Sequence, residues 1–215
     1  MERTGRDRLR RWELALLLGV ALAALLGAWL NAGQAALADK VIRLHVIANS
    51  DSPADQALKL QVRDRILAEA EDLFDQSLTV DEARAVLTDQ LAGLAAAGAE
   101  VVGEAGYDYP VTASLEEGVW FPTKTYTDFA LPAGNYTALR IVIGEGGGQN
   151  WWCVVFPPLC LGSVTETVEE TAAAGGFSED EIALITGEDE GYVVKFRLME
   201  WWVEFLAWVQ GEWGV

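Results

Sequence analysis

The residues of this chain with the clearest chemical potential are one histidine, His45, and two cysteines, Cys153 and Cys160. A cysteine activated by the imidazole, with Asn49 or Asn150 orienting the ring, would be the nucleophile of an amide hydrolase. One histidine and two cysteines supply fewer than the four ligands of a tetrahedral zinc site, so we expect no metal centre. No nucleophile motif surrounds either cysteine, and we therefore expect no catalytic residues.

A glycine-rich run at residues 144–149, GEGGGQ, is a second candidate functional motif. Phosphate-binding loops end in Gly-Lys-Ser or Gly-Lys-Thr, and this run lacks that ending. No basic residue follows it before Lys195. We therefore expect no cofactor, and we predict that the run joins strands over 136–143 and 151–156 as a hairpin.

The N-terminal segment predicts export. Five arginines occur before residue 12, and the 17 residues at 14–30, LALLLGVALAALLGAWL, carry no charge. The basic end should stay in the cytoplasm while the rest crosses the membrane. Small residues in the patterns of 33–35 and 36–38 favour cleavage by a signal peptidase, whereas the length of the apolar run favours retention. Residues 1–38 are therefore a signal peptide or a membrane anchor.

Residues 39–215 are predicted to form one acidic exported domain. Five of the 15 basic and three of the 33 acidic residues precede residue 39, so this part carries a net charge of −20. Such a charge repels phosphate backbones and argues against a nucleic-acid partner. The hydrophobic content of 51% argues against disorder.

In an exported protein, Cys153 and Cys160 are candidates for a disulfide. Closing so short a loop would contribute about 2.5 kcal/mol on a chain-entropy estimate. Two prolines precede Cys160 and can turn the chain back toward Cys153. Two free thiols, one in the core and one in a loop, are the alternative.

The order of the predicted elements indicates an α+β fold. A strand over 40–48 is followed by a helix that begins at Ser52 and Pro53 and by a second that begins at the capping box of Thr79 and Glu82. Several strands follow, and the pattern ends with a strand over 192–198 and a tryptophan-rich amphipathic helix. This order predicts a two-layer sandwich, with a mostly antiparallel sheet and helices on one side.

Two other regions stand out. Residues 162–191 carry many carboxylates and no basic residue, so we expect a mobile, solvated insertion. Trp151 and Trp152 are adjacent in a strand-like run and must point to opposite faces. Since tryptophan is a favoured interface anchor, Asn150, Trp151 and Trp152 are our candidate partner-binding residues. Packing in the core is the competing role of these tryptophans.

Three stretches of the chain resemble the stage II sporulation protein R family of endospore-forming bacteria. They are VIRLHVIANSDSPADQALKLQVRDRIL, VWFPTKTY and PAGNYTALRIVIGEGGGQNWWCVVFPPLC. The resemblance spans residues 40–161 and resumes more loosely at 192–209. It implies no catalytic residues.

The resemblance also implies a signalling role. Members of that family are exported from the forespore into the intermembrane space, where they trigger a membrane-embedded aspartic protease in the mother-cell membrane. That protease removes the inhibitory pro-sequence from a sigma-factor precursor. An exported cysteine hydrolase acting on peptide or cell-wall amides, and a membrane-anchored structural protein, are the alternative functions.

Overall fold

The structure, a computed structural model, describes residues 3–74, 78–126, 128–160 and 168–186. These ranges contain helices α1 (Arg3–Ala38), α2 (Pro53–Leu73), α3 (Val80–Glu104), α4 (Val168–Ala174) and α5 (Glu179–Thr186). They also contain strands β1 (Ile42–Ile47), β2 (Val111–Phe121), β3 (Lys124–Thr125), β4 (Ala130–Leu131), β5 (Gly134–Ile143) and β6 (Asn150–Phe156). The strand and helix predicted over 192–209 lie outside the described residues.

The centre of the fold is a four-stranded sheet in the order β2-β5-β1-β6. Strand β1 runs parallel to β5 and antiparallel to β6, and β2 runs antiparallel to β5. Strands β3 and β4 form a separate antiparallel pair. The prediction of an α+β fold with a mostly antiparallel sheet is confirmed.

The predicted hairpin between β5 and β6 is wrong, because β1 lies between these two strands. Nearly every residue of β1 is buried, as is typical of a strand at the centre of a sheet that is covered on both faces. The glycine-rich run therefore crosses over the end of β1. There, the amides of Gly147 and Gly148 donate to the carbonyls of Asn49 and Ala48 at 3.1 and 3.0 Å.

Both long helices after β1 begin where the sequence predicts. The Ser52 hydroxyl accepts from the Asp55 amide at 3.1 Å, with Pro53 in the first helical position of α2. At the start of α3, Thr79 and Glu82 satisfy each other's backbone amides in a capping box. Helices α2 and α3 share with one face of the sheet a buried apolar cluster, the helix-side core, which includes Leu44, Leu58, Val62, Ile66, Leu87, Leu139 and Ile141.

The opposite face of the sheet is covered by shorter elements. Its buried cluster, the second core, comprises Leu37, Ala38, Val41, Phe121, Phe129, Leu131, Tyr136, Ala138, Val154, Ala172, Phe177 and Ile185. Helices α4 and α5 supply Ala172 and Ile185, although they lie in the segment that we expect to be a mobile insertion. Their apolar positions pack toward the sheet, and the carboxylates of Glu169, Glu170, Glu179 and Asp180 belong to exposed residues.

Helix α1 runs through the predicted export segment. Residues Trp12–Leu25 are an apolar stretch of this helix, and their large side chains are exposed. Within the described part of the chain, the helix that has the length and hydropathy to cross a membrane is α3. Because α3 buries Leu87, Leu94 and Val102 in the domain, we interpret it as a core helix.

Candidate functional site

The candidate contact residues lie on β6, where Trp151 and Trp152 point to opposite faces of the sheet. Trp151 is paired with Val46 of β1, and Trp152 is paired with His45. Val46 belongs to the helix-side core, whereas the His45 ring contacts Phe121 of the second core. The alternation predicted from the sequence is therefore present.

Trp151 lies on the helix side and retains an exposed fraction of 36%. The guanidinium carbon of Arg63, on α2, lies 4.3 Å from the centroid of its indole ring. Such a cation–π contact orients the ring without removing it from solvent. Asn150 is also exposed. Asn150, Trp151 and Arg63 together form what we call the Trp151 surface.

Sequence reasoning missed Arg63, although its spacing carried a signal. Lys59 and Arg63 are four residues apart and therefore lie on one face of α2. Lys59 is almost fully buried, and its ammonium group donates to the Gln149 carbonyl at 2.9 Å and to Gln56 Oε1 at 2.6 Å. Burial lowers the pKa of Lys59, and the nearby Asp51 charge opposes that shift. This face of α2 thus contacts both the glycine-rich run and the start of β6.

The loop after β1 holds the glycine-rich run in place. Asn49 Oδ1 accepts from the Glu145 amide at 3.1 Å, and Asp51 Oδ1 accepts from the Gln149 amide at 2.7 Å. Gly144 has a φ of 61°, and a Cβ there would lie 2.2 Å from Asn49 Oδ1. These contacts fix the residues that lead directly into Asn150.

Asp55 anchors that loop to α2. Its carboxylate is almost fully buried and accepts from the Ser50 hydroxyl and, at 3.0 Å, from Asn49 Nδ2. The hydrogen bonds from Ser50 and then Asn49 lower the pKa of Asp55, so the carboxylate is charged at neutral pH. These polar residues therefore position the chain that leads into β6.

On the opposite face, the main chain of β6 is held by a buried arginine. The guanidinium carbon of Arg43 lies 4.4 Å from the ring centroid of Phe121 and 5.0 Å from that of Tyr136. Arg43 Nη2 donates to Tyr126 Oη at 3.1 Å, and that hydroxyl donates to the Trp152 carbonyl at 3.2 Å. Among the described residues, Arg43 Nη1 has no hydrogen-bond partner. Burial raises the pKa of Tyr136 to about 12.

His45 lies beside Trp152 on this second face. Its ring centroid is 6.2 Å from that of Trp152 and 5.9 Å from that of Phe121. Burial lowers the pKa of His45, and the nearby Arg140 charge lowers it further. The imidazole is therefore neutral near pH 7.

The two cysteines are joined in a disulfide with an S–S distance of 2.04 Å. Cys153 faces the helix-side core, whereas His45 points to the other face of the sheet. Neither a free thiol nor a cysteine–histidine contact exists in this arrangement, which counts against a thiol nucleophile. Within the described ranges, no group of three or more His, Cys, Asp or Glu residues is placed to hold a metal ion.

Comparison with known proteins gives a consistent assignment. Residues 38–166 match the family model described as stage II sporulation protein R. The chain is also 33% identical over 180 residues to "Stage II sporulation protein R" of Bacillus subtilis (strain 168), covering 76% of this chain and 80% of the relative. No solved structure matches. This chain belongs to the stage II sporulation protein R family.

Proposed function

We propose that this sporulation protein is an exported signal that activates a membrane-embedded aspartic protease in the mother-cell membrane. The protein would leave the forespore through its N-terminal segment and act in the intermembrane space. Activation would lead to cleavage of a sigma-factor precursor. Family membership supports the sporulation role.

The observation that carries the proposal is the Trp151 surface. An indole that is 36% exposed and stacked by Arg63 is a preformed contact, because the ring is already oriented before a partner arrives. Tryptophan and arginine, together with tyrosine, are enriched among interface residues with large binding energies. The network around Asp55 and Lys59 fixes the backbone that presents this ring.

A signal of this kind can act through differential binding alone. A ligand shifts its partner toward an active state only to the extent that it binds this state more tightly than the inactive one. The Trp151 surface requires no chemistry of its own for that purpose. The acidic remainder of the chain favours a partner surface with basic residues, because complementary charges steer association.

The exported cysteine hydrolase is the weaker alternative. Its nucleophile would have to be Cys153 or Cys160, and these are bonded to each other. A membrane-anchored structural protein would use α1, whose residues Trp12–Leu25 are apolar and exposed. That role explains the exposed apolar residues of α1 but does not explain why Arg63 orients an exposed Trp151.

Export dependence tests the proposal. The full-length chain, the aspartic protease and the sigma-factor precursor are produced together in a bacterial host, and precursor cleavage is followed by immunoblot. We expect cleavage only when all three are present and the chain is exported. A matched control deletes residues 14–30, which keeps the chain in the cytoplasm and leaves the buried Leu37 in place.

Two results would contradict the proposal. One is equal precursor cleavage with the exported chain and with the deletion variant. The other is cleavage by the chain in the absence of the aspartic protease, which would make the chain itself the hydrolase.

A further inference from the structure

The last turn of α1 belongs to the core of the domain. Leu37 has an exposed fraction of 0% and Ala38 one of 5%, whereas Ala35 and Ala36, directly before them, are exposed. The helix is continuous through this change, since the Asp39 amide donates to the Ala35 carbonyl at 2.9 Å. The boundary between exposed and buried chain therefore falls inside the helix and not at its end.

Leu37 and Ala38 are part of the second core. They share this buried cluster with Phe121 and Tyr136 of the sheet and with Ile185 of α5. The last turn of α1 thus lies where the sheet and the two short helices meet.

The residues that follow tie this turn to α4 and α5. The Lys40 ammonium forms an ion pair with Glu181 at 2.7 Å and donates to the Gly176 carbonyl at 3.0 Å. Val41, three residues after Ala38, is fully buried in the same cluster. Residues 37–41 therefore act as one structural segment of the domain.

We infer that the domain begins at Leu37 and that cleavage at the Ala38–Asp39 bond does not yield the functional protein. A signal peptidase reads small residues at the first and third positions before its cleavage point. The pattern of residues 36–38 would direct cleavage after Ala38 and remove Leu37 from the core. The pattern of residues 33–35 would direct it after Ala35, between two exposed residues, and leave the core intact.

The family match begins at residue 38, which is one residue after Leu37 and still inside the last turn of α1. The inference does not depend on which protein the domain binds, so it can fail while the proposed function stands, and the reverse is also possible.

The test is the intact mass of the protein after export. The full-length chain is expressed in a host with a signal peptidase, and every species that contains the domain is purified from membranes and medium. We expect each species to contain Leu37 and Ala38, either as the uncleaved chain or as a product beginning at Ala36. A folded product that begins at Asp39 would overturn the inference.

A pair of leucine substitutions keeps the inference testable if the chain is never cleaved. Leu37→Ala and Leu22→Ala are the same change in the same helix, but Leu22 is 62% exposed. In full-length protein in mild detergent, we expect Leu37→Ala to lower the thermal midpoint by about 10 °C, because it leaves a core cavity. We expect Leu22→Ala to leave it unchanged. An unchanged midpoint in Leu37→Ala would show that the turn is not part of the domain.

Discussion

The two faces of the central sheet differ in the side chains that they bury and in the elements that cover them. The helix-side core is a large apolar cluster, and the long helices α2 and α3 cover it. The second core places a fully buried Arg43 and a partly buried His45 among aromatic rings, under short elements from three parts of the chain. Strand β6 joins the two, because Trp151 faces one side and Trp152 the other.

This difference indicates which face supplies stability. Burial of apolar side chains stabilises a fold directly, whereas a buried guanidinium loses hydration that its contacts only partly offset. Arg43 instead holds the main chain of β6 through Tyr126. We therefore expect the helix-side core to dominate the free energy of unfolding and the second core to position β6.

The largest effect on stability is expected from Leu44→Ala. Leu44 is fully buried on the helix side, so truncation removes apolar contacts and leaves a cavity. The free energy of unfolding should fall by about 3–5 kcal/mol in denaturant titration. Leu60→Ala, at a position that is 36% exposed, should change it by less than about 0.5 kcal/mol. Similar losses in both variants would contradict the assignment of this face.

Loss of the disulfide should destabilise the fold less than the truncation of Leu44 does. Cys160 contacts both cores, and its bond to Cys153 fixes the chain that passes between them. Cys160→Ser should lower the free energy of unfolding by about 2.5 kcal/mol, mainly because the unfolded chain gains freedom. Wild-type protein in reductant should lose the same amount, and the variant should no longer respond to reductant. A variant as stable as the oxidised wild type would be the contrary result.

Arg43→Met tests whether the stability of the second core depends on a buried charge. Methionine fills a similar volume without a charge to desolvate, so stability should change by no more than about 1 kcal/mol. Arg43→Ala should cost about 3 kcal/mol, since it leaves a gap between Phe121 and Tyr136. If the methionine variant lost as much as Leu44→Ala, the second core would depend on the charge for its stability.

The smallest effect concerns pH and His45. Burial lowers the pKa of His45 in the folded protein below the ordinary value of 6.5, so the unfolded chain binds a proton first as the pH falls. Protonation of His45 therefore costs no stability above about pH 6.5. The free energy of unfolding decreases as the pH falls from there to the pKa of His45 in the folded state.

Because His45 is the single histidine of the chain, one substitution isolates this effect. His45→Gln should remove the part of the stability loss that occurs just below pH 6.5 in thermal melts. Carboxylates that titrate at lower pH serve as an internal reference, since the variant leaves them in place. Identical pH profiles of the two proteins would show that His45 does not titrate differently on folding.

Local signals in the sequence predicted much of the fold. Ser52 with Pro53, and Thr79 with Glu82, mark helix starts because their side chains satisfy backbone amides within a few residues. The alternation of Trp151 and Trp152 follows from the two-residue period of a strand. Each of these features depends only on neighbours in the chain.

The errors concern contacts between distant segments. The order of β5, β1 and β6 is set by which strands share a core, and the glycine-rich run between β5 and β6 suggested a hairpin instead. The packing of α4 and α5 depends on apolar positions such as Ile185 that are sparse among many carboxylates. For the same reason, the stacking of Arg63 on Trp151 required the structure, as it joins α2 to β6.

The most direct test of the account measures how much protein is needed to activate the protease. Full-length wild-type chain and Trp151→Ala are titrated onto membranes that contain the protease, and the rate of precursor cleavage is recorded. Loss of an interface anchor worth about 2 kcal/mol predicts that Trp151→Ala needs roughly 30 times more protein for the half-maximal rate. Trp120→Ala, at a position that is 55% exposed on β2, should behave as wild type. Equal half-maximal concentrations for wild type and a folded Trp151→Ala would contradict the account.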